Sequence, residues 1–249
     1  ARLRMAKVKG SGEGTLSSQD PVTACRDAGR QLLSACEQDG ADSAALVVTG
    51  QYTSEELEDM VSLFTQDLGS QQVYHWINNP ESFDDFDGLL LRGDRNPNTK
   101  GLLQVLESHG CNRTWTELEQ KLQAGEIKTL VVAGPENQTV FPDLADKCKN
   151  FLKAPNVIWL TAGPVQELEE TSGAFTQVPT KTYIEKSGTF VNFQGREQKI
   201  SVGCVINDQA LTLSEAAQLL AGQELSLSGR PERDHSLKTN HYTALRGAL

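Results

Sequence analysis

Lys128-Thr-Leu-Val-Val-Ala133, closed by Gly134-Pro135, is an unbroken apolar run rich in β-branched residues. It lacks the polar alternation of a half-exposed strand, so both of its faces are covered, as in the interior of a parallel sheet. Two runs share this character: Ala44-Ala-Leu-Val-Val-Thr49 upstream, and Asn156-Val-Ile-Trp-Leu-Thr161 downstream, the latter broken by Ala162-Gly-Pro164. Gln72-Val-Tyr-His75 reads as another strand, and Asp87-Gly-Leu-Leu-Leu91 as a strand or the approach to one.

Helical periods fill the intervals. Val22, Cys25, Ala28, Leu32, Leu33 and Cys36 recur at helical steps, with Asp20-Pro21 as cap and first turn and Asp39-Gly40 as the stop. Thr53-Ser-Glu-Glu is a capping box with Thr53 or Ser54 as cap; it opens a helix through Leu57, Met60, Val61, Phe64 and Leu68, which Gly69 ends. A turn-rich stretch, Arg92 to Asn98, precedes a short helix from Thr99 to His109. Thr114-Trp-Thr-Glu117 opens another helix, closed by Gly125, and Leu144 to Leu152 is amphipathic. Strands alternating with helices of this length predict an α/β domain over residues 1–165, a parallel sheet with helices on both faces. Ligands in such folds bind at the carboxyl ends of the strands. No G-x-G-x-x-G and no G-x-x-x-x-G-K-[ST] follows any strand, so nucleotide binding has no loop chemistry behind it.

Residues 166–225 read differently, as an extended and turn-rich segment followed by a helix that packs back on the same domain. Phe175 to Pro179 and Thr180 to Glu185 look extended, Lys186-Ser-Gly188 reads as a tight turn, Thr189 to Phe193 alternates aromatic and polar groups, and Gln194-Gly-Arg196 is a second turn. Leu213 to Leu220 is a helix with Thr212 or Ser214 as cap, and residues 226–249 form a polar tail.

The chain has 249 residues, with 23 Lys+Arg against 33 Asp+Glu, a formal net charge of −10. That balance opposes nucleic acid or an anionic membrane surface as a main partner. No apolar run reaches the roughly 18 residues of a membrane span. Ala1 to Lys9 is basic without an apolar core behind it, which is not a secretory signal pattern. The 5 cysteines, at 25, 36, 111, 148 and 204, lack the short spacings of thiolate metal sites and read as reduced thiols in a cytoplasmic setting. The simplest role for them is as small buried hydrophobes. Asp84-Asp-Phe-Asp87 reads as a solvated acidic loop rather than a cation site. His75, His109, His235 and His241 are isolated, and no nucleophilic triad is identifiable. Asn112-Arg-Thr and Asn137-Gln-Thr fit a glycosylation pattern, with nothing else indicating secretion.

The segment Tyr183-Ile-Glu-Lys-Ser-Gly-Thr-Phe-Val-Asn-Phe-Gln-Gly-Arg-Glu-Gln198 resembles a signature of the molybdopterin oxidoreductase superfamily. Pro179, Glu185, Gly188, Thr189, Phe190, Asn192, Gly195, Arg196 and Gln198 fall on its fixed positions. Asp87 to Gly101 and Glu126 to Pro135 are similar to stretches of the large subunits of NADH:quinone oxidoreductase, respiratory complex I. In those subunits this region is a cofactor-free relic of the molybdopterin enzymes, joined to an amino-terminal portion that carries iron–sulfur clusters. The departures point the same way. Ala174 to Pro179 lacks the Asp usual in the relatives, no cysteine clusters occur, no molybdenum-ligand context is present, and no room remains after residue 210 for the carboxy-terminal barrel of the active enzymes.

The resemblance therefore implies a structural subunit domain of a respiratory electron-transport complex. It implies iron–sulfur clusters only in partners or in a portion outside this chain, other subunits of a redox complex as partners, and a cytoplasmic place against the inner membrane. Neither catalytic residues nor metal ligands emerge. Gly188, Thr189, Asn192, Gly195 and Arg196 are the family-motif positions that would face a cofactor. At residue level simpler roles are preferred: positive φ at Gly188 and Gly195, an Arg196 ion pair with Glu185 or Glu197, and Asn192 bonded to its own turn. Two alternatives stay open: a shortened oxidoreductase that still binds a pterin, and a stand-alone protein-interaction module.

Overall fold

The structure, a computed structural model, describes residues 2–12, 15–78, 86–89, 93–135, 141–170 and 172–225. Five parallel strands form the body of the sheet, with β4 at one edge: β3 (Ala44–Thr49), β4 (Val73–Trp76), β5 (Thr129–Ala133), β6 (Asn156–Thr161) and β7 (Ala174–Pro179). Two short strands extend it, β1 (Ala6–Lys9) and β2 (Ser17–Gln19), with β1 antiparallel to both β7 and β2. The order is β2-β1-β7-β6-β5-β3-β4. A separate antiparallel hairpin joins β8 (Gly188–Val191) to β9 (Glu197–Ile200).

The apolar runs account for the two cores. Side chains alternate along each strand, so one face takes Leu46, Val48, Val131, Ile158 and Val178, and the other takes Val47, Leu130, Val132, Trp159 and Phe175. On the first face lie α1 (Pro21–Asp39), α2 (Ser54–Ser62), α3 (Thr99–Ser108) and α6 (Leu213–Leu220). On the second lie α4 (Trp115–Ala124) and α5 (Leu144–Phe151), where Trp76, Trp115, Phe141, Phe151 and Trp159 form a chain of edge-on and tilted ring contacts. The predicted caps hold. Asp20 accepts from the Thr23 amide, and Thr53/Glu56, Thr114/Glu117 and Thr212/Glu215 each close a reciprocal capping box.

Several expectations need correction. The segment that ends at Lys9, read only as basic chain, supplies β1, and Ser17–Gln19, for which no strand was expected, supplies β2 at the sheet edge. Asp87 to Leu89 is no strand: Asp87 Oδ1 accepts the Leu89 amide, a local turn, and Leu89 is exposed; residues 90–92 lie outside the described residues. Thr180 to Glu185 is not extended throughout. Thr182 and Glu185 form a fourth capping box around a 3₁₀ turn, Tyr183–Glu185, so the bend falls before Lys186 and residues 186–188 run straight into β8. Asp84 and Asp85, Asn137, His235, His241 and the polar tail lie outside the described residues. Among the described residues no helix is long and apolar enough to cross a membrane.

Candidate functional site

After β3 the chain moves to β4 on one side; after β5 it moves through β6 to β7 on the other. The connections therefore diverge between β3 and β5, where folds of this kind open a crevice for ligands. Here the crevice is closed by protein. The Thr49 hydroxyl donates to the Ala133 carbonyl. Gly50 lies so close to the start of α3 that a Cβ on it would sit 2.7 Å from the Thr99 nitrogen. Asn98, fully buried, joins three segments: its amide donates to Gly50 O, its Nδ2 to Tyr52 O at 2.8 Å, and its Oδ1 accepts the Val191 amide of β8 at 2.7 Å.

That last bond seats the hairpin carrying the family motif. Gly188 has the expected positive φ, 155°, but at the start of a strand rather than in a turn, and it also allows a close approach, since a Cβ would lie 2.6 Å from Thr53 Cγ2. Thr189 donates its amide (2.8 Å) and hydroxyl (2.7 Å) to the Glu55 carboxylate. Burial works to raise the Glu55 pKa, and these Thr189 bonds outweigh it and hold it below the usual value. Asn192 Oδ1 accepts the amides of Gln194 and Arg196, so it organises its own turn, as expected. Gly195 has the left-handed φ of 82° that this turn needs. Arg196 corrects the sequence reading: it pairs with neither glutamate, and its exposed guanidinium has no ion pair among the described residues.

Glu185 is instead the centre of a buried clasp. It accepts from Arg2 at 2.5 Å, from the amide and hydroxyl of Thr182, and from the amides of Ile206 and Asn207. Burial raises its pKa; the amides of Thr182 and Asn207 and the charge of Arg2 overcome that and leave it lowered. Lys186 reaches Glu56 at 2.6 Å, both side chains being buried, and lies 4.6 Å from the Tyr52 ring centroid. Burial lowers the Lys186 pKa against the pull of Glu56. Glu56 also caps Thr53 and accepts the Leu213 amide that opens α6.

Openings flank this region, one of them a shallow groove over Glu55, Thr189 and Glu197. A groove of about 560 Å³ runs between the start of α3 and the hairpin turn, lined by Asp94, Lys100, Leu103 and Phe193 among others. Burial raises the pKa of Asp94, against the hydrogen bonds from Asn96 and Thr99. A smaller cleft of about 240 Å³ lies over the carboxyl ends of β3, β6 and β7, lined by Gln51, Tyr52, Pro97, Thr180, Lys181 and Tyr183. Asn98 and Lys181 carry no sequence signal of their importance. The nearest is Asn98's position one residue before a helix start, and the cation count cannot distinguish Lys181 from its neighbours.

The remaining sequence candidates resolve simply. His109, which reads as isolated, is tied by Nε2 to Glu58 (2.8 Å) and by Nδ1 to Thr65 (2.9 Å), while Thr65 donates to the Val61 carbonyl. It is a strut between α2 and α3. Cys25 and Cys148 are buried; burial pushes the Cys25 thiol up to about 12 and raises that of Cys148 as well, so neither is a nucleophile at neutral pH. Burial lowers the His75 pKa. Among the described residues no group of three or more acidic, His or Cys side chains is placed to hold a metal ion.

A pterin dinucleotide needs several backbone donors and cationic groups converging on its phosphates. The motif residues do not fit that need: Thr189 is spent on Glu55, Asn192 on its own turn, Gly188 on contact with Thr53, and Arg196 alone of the motif offers an uncommitted charge. In comparisons with known proteins, no family model matches the chain and no curated protein matches it.

Proposed function

We propose that this chain is a cofactor-free structural domain of a multi-subunit NADH:quinone oxidoreductase, of degenerate molybdopterin oxidoreductase type, which packs against iron–sulfur-bearing subunits. The supporting observation is the direction in which the motif spends its hydrogen bonds. Thr189 is bound to Glu55 on α2, Lys186 to Glu56 on the same helix, and Gly188 lies against the cap of that helix, Thr53. The signature that faces a cofactor in active relatives serves here to fasten a hairpin to the domain. Such a domain does no chemistry alone. It offers partners a fixed surface and, at a formal charge of −10, a negative field beside their electron carriers.

The test is affinity purification of the tagged protein from its own cells, with elemental analysis of the isolated chain. Quinone-reductase subunits in stoichiometric yield, with far less than one iron or molybdenum per isolated chain, are expected. Stoichiometric molybdenum, or a reproducible set of unrelated partners, would overturn the reading. The uncommitted guanidinium of Arg196 favours a second reading, a shortened oxidoreductase that retains a pterin. It requires pterin fluorescence released from the purified protein by heat and lost in Arg196→Ala.

A further inference from the structure

The charges at the carboxyl end of the sheet do not balance. Arg2 is matched by Glu185 and Lys186 by Glu56, one cation to one carboxylate. Lys181, the residue between the end of β7 and the clasp, is surplus. Its stem is buried, the residue being only 7% exposed, while its ammonium reaches solvent and has no hydrogen bond or ion pair among the described residues. The chain holds ten more acidic than basic residues, yet none of the described carboxylates reaches this ammonium, so it stands at the cleft as a free positive charge.

Lys181 lines the cleft of about 240 Å³ over the ends of β3, β6 and β7. The other groups there suit an anion. The carbonyls of Ala162 and Thr180, which would repel one, are occupied by the Arg2 guanidinium at 3.0 and 2.7 Å. The Tyr52 hydroxyl donates to the Leu160 carbonyl, so in the long 3.4 Å contact the Thr180 hydroxyl is the donor to Tyr52, a weak bond that it exchanges for one to the ligand. The Gln51 amide takes no partner among the described residues and adds a second donor on the rim. The Tyr52 and Tyr183 rings flank the opening, Tyr183 being 64% exposed.

We propose that this cleft binds the oxyanion of a small phosphate or carboxylate compound, with Lys181 as its counter-charge and Thr180 and Gln51 as hydrogen-bond donors. The site is independent of the scaffold reading above, since it uses none of the motif residues. It is separate from both buried ion pairs, which the ligand leaves intact.

Calorimetric titration of the full chain at constant ionic strength tests this, with inorganic phosphate in one arm and acetate in the other. Saturable one-to-one binding in at least one arm is expected, and the stronger arm identifies the ligand's head group. Lys181→Gln should weaken it by about tenfold or more, and Lys181→Arg should retain it within about threefold. Because the ammonium makes no bond within the protein and Met keeps the buried apolar stem, Lys181→Met should melt close to the parent and should lose the thermal upshift that the ion gives the parent. Absence of saturable binding in both arms up to about 20 mM, or equal binding by Lys181→Gln, overturns the proposal.

Discussion

Lys186 and Glu56 meet at 2.6 Å with both side chains out of water, and Glu56 at the same time holds the caps of two helices. Two charges in such a place are stabilising only as a pair. Removing one strands the other, a loss of about 3–5 kcal/mol. Lys186→Met should therefore cost about that much in urea unfolding. Adding Glu56→Gln should recover part of it, because the stranded charge is gone and the amide oxygen still accepts from one of the two amides, Thr53 or Leu213, that the carboxylate holds. Additive losses across the double-mutant cycle would mean that the pair contributes little. The same arithmetic distinguishes Lys181, which has no partner to strand.

At the scale of elements, the hairpin depends on Gly188. Its φ of 155° is one that residues with a side chain rarely adopt, and the 2.6 Å approach to Thr53 leaves no room for a Cβ. Gly188→Ala must push β8 away from α2, at a cost of about 1–3 kcal/mol, and should expose the Thr189 amide to exchange. Unchanged hydrogen-exchange protection at Thr189 would refute the close-packing account. The elements themselves were largely legible. Runs such as Leu130-Val-Val132 need cover on both faces, and Thr-x-x-Glu at residues 53, 114 and 212 fixes three helix starts through local bonds. The same motif at Thr182 was hidden because only one short turn follows it. The strands β1 and β2 were illegible because edge strands with exposed sides carry little apolar pattern. At the site, Asn192 and Gly195 were readable since their roles are local to one turn. The partners of Thr189 and Glu185 lie 134 and 183 residues away, which no spacing rule reaches.

Across the whole molecule, the Arg2–Glu185 clasp joins the start of the chain to its carboxyl third. Its pH dependence has a definite sign. The Glu185 pKa is lowered from its ordinary value of 4.5 in the folded protein, as is that of Glu55, so each contributes stability that is complete above that value and lost as pH falls through the folded pKa. The urea midpoint should hold from neutral pH down to about 5 and fall below about 4.5. Arg2→Ala should flatten that fall; an equally steep one would place the acid sensitivity elsewhere. The strand order carries a last consequence. Only the four residues of β1 and the three of β2 stand between β7 and solvent on that side of the sheet. Shortening the protein past Gln19 would bare the edge of β7 where β1 now pairs with Phe175, Thr176 and Gln177, leaving its outward amides and carbonyls unsatisfied. Such an edge invites another copy to add its own strand, so the polar opening segment guards the protein against self-association.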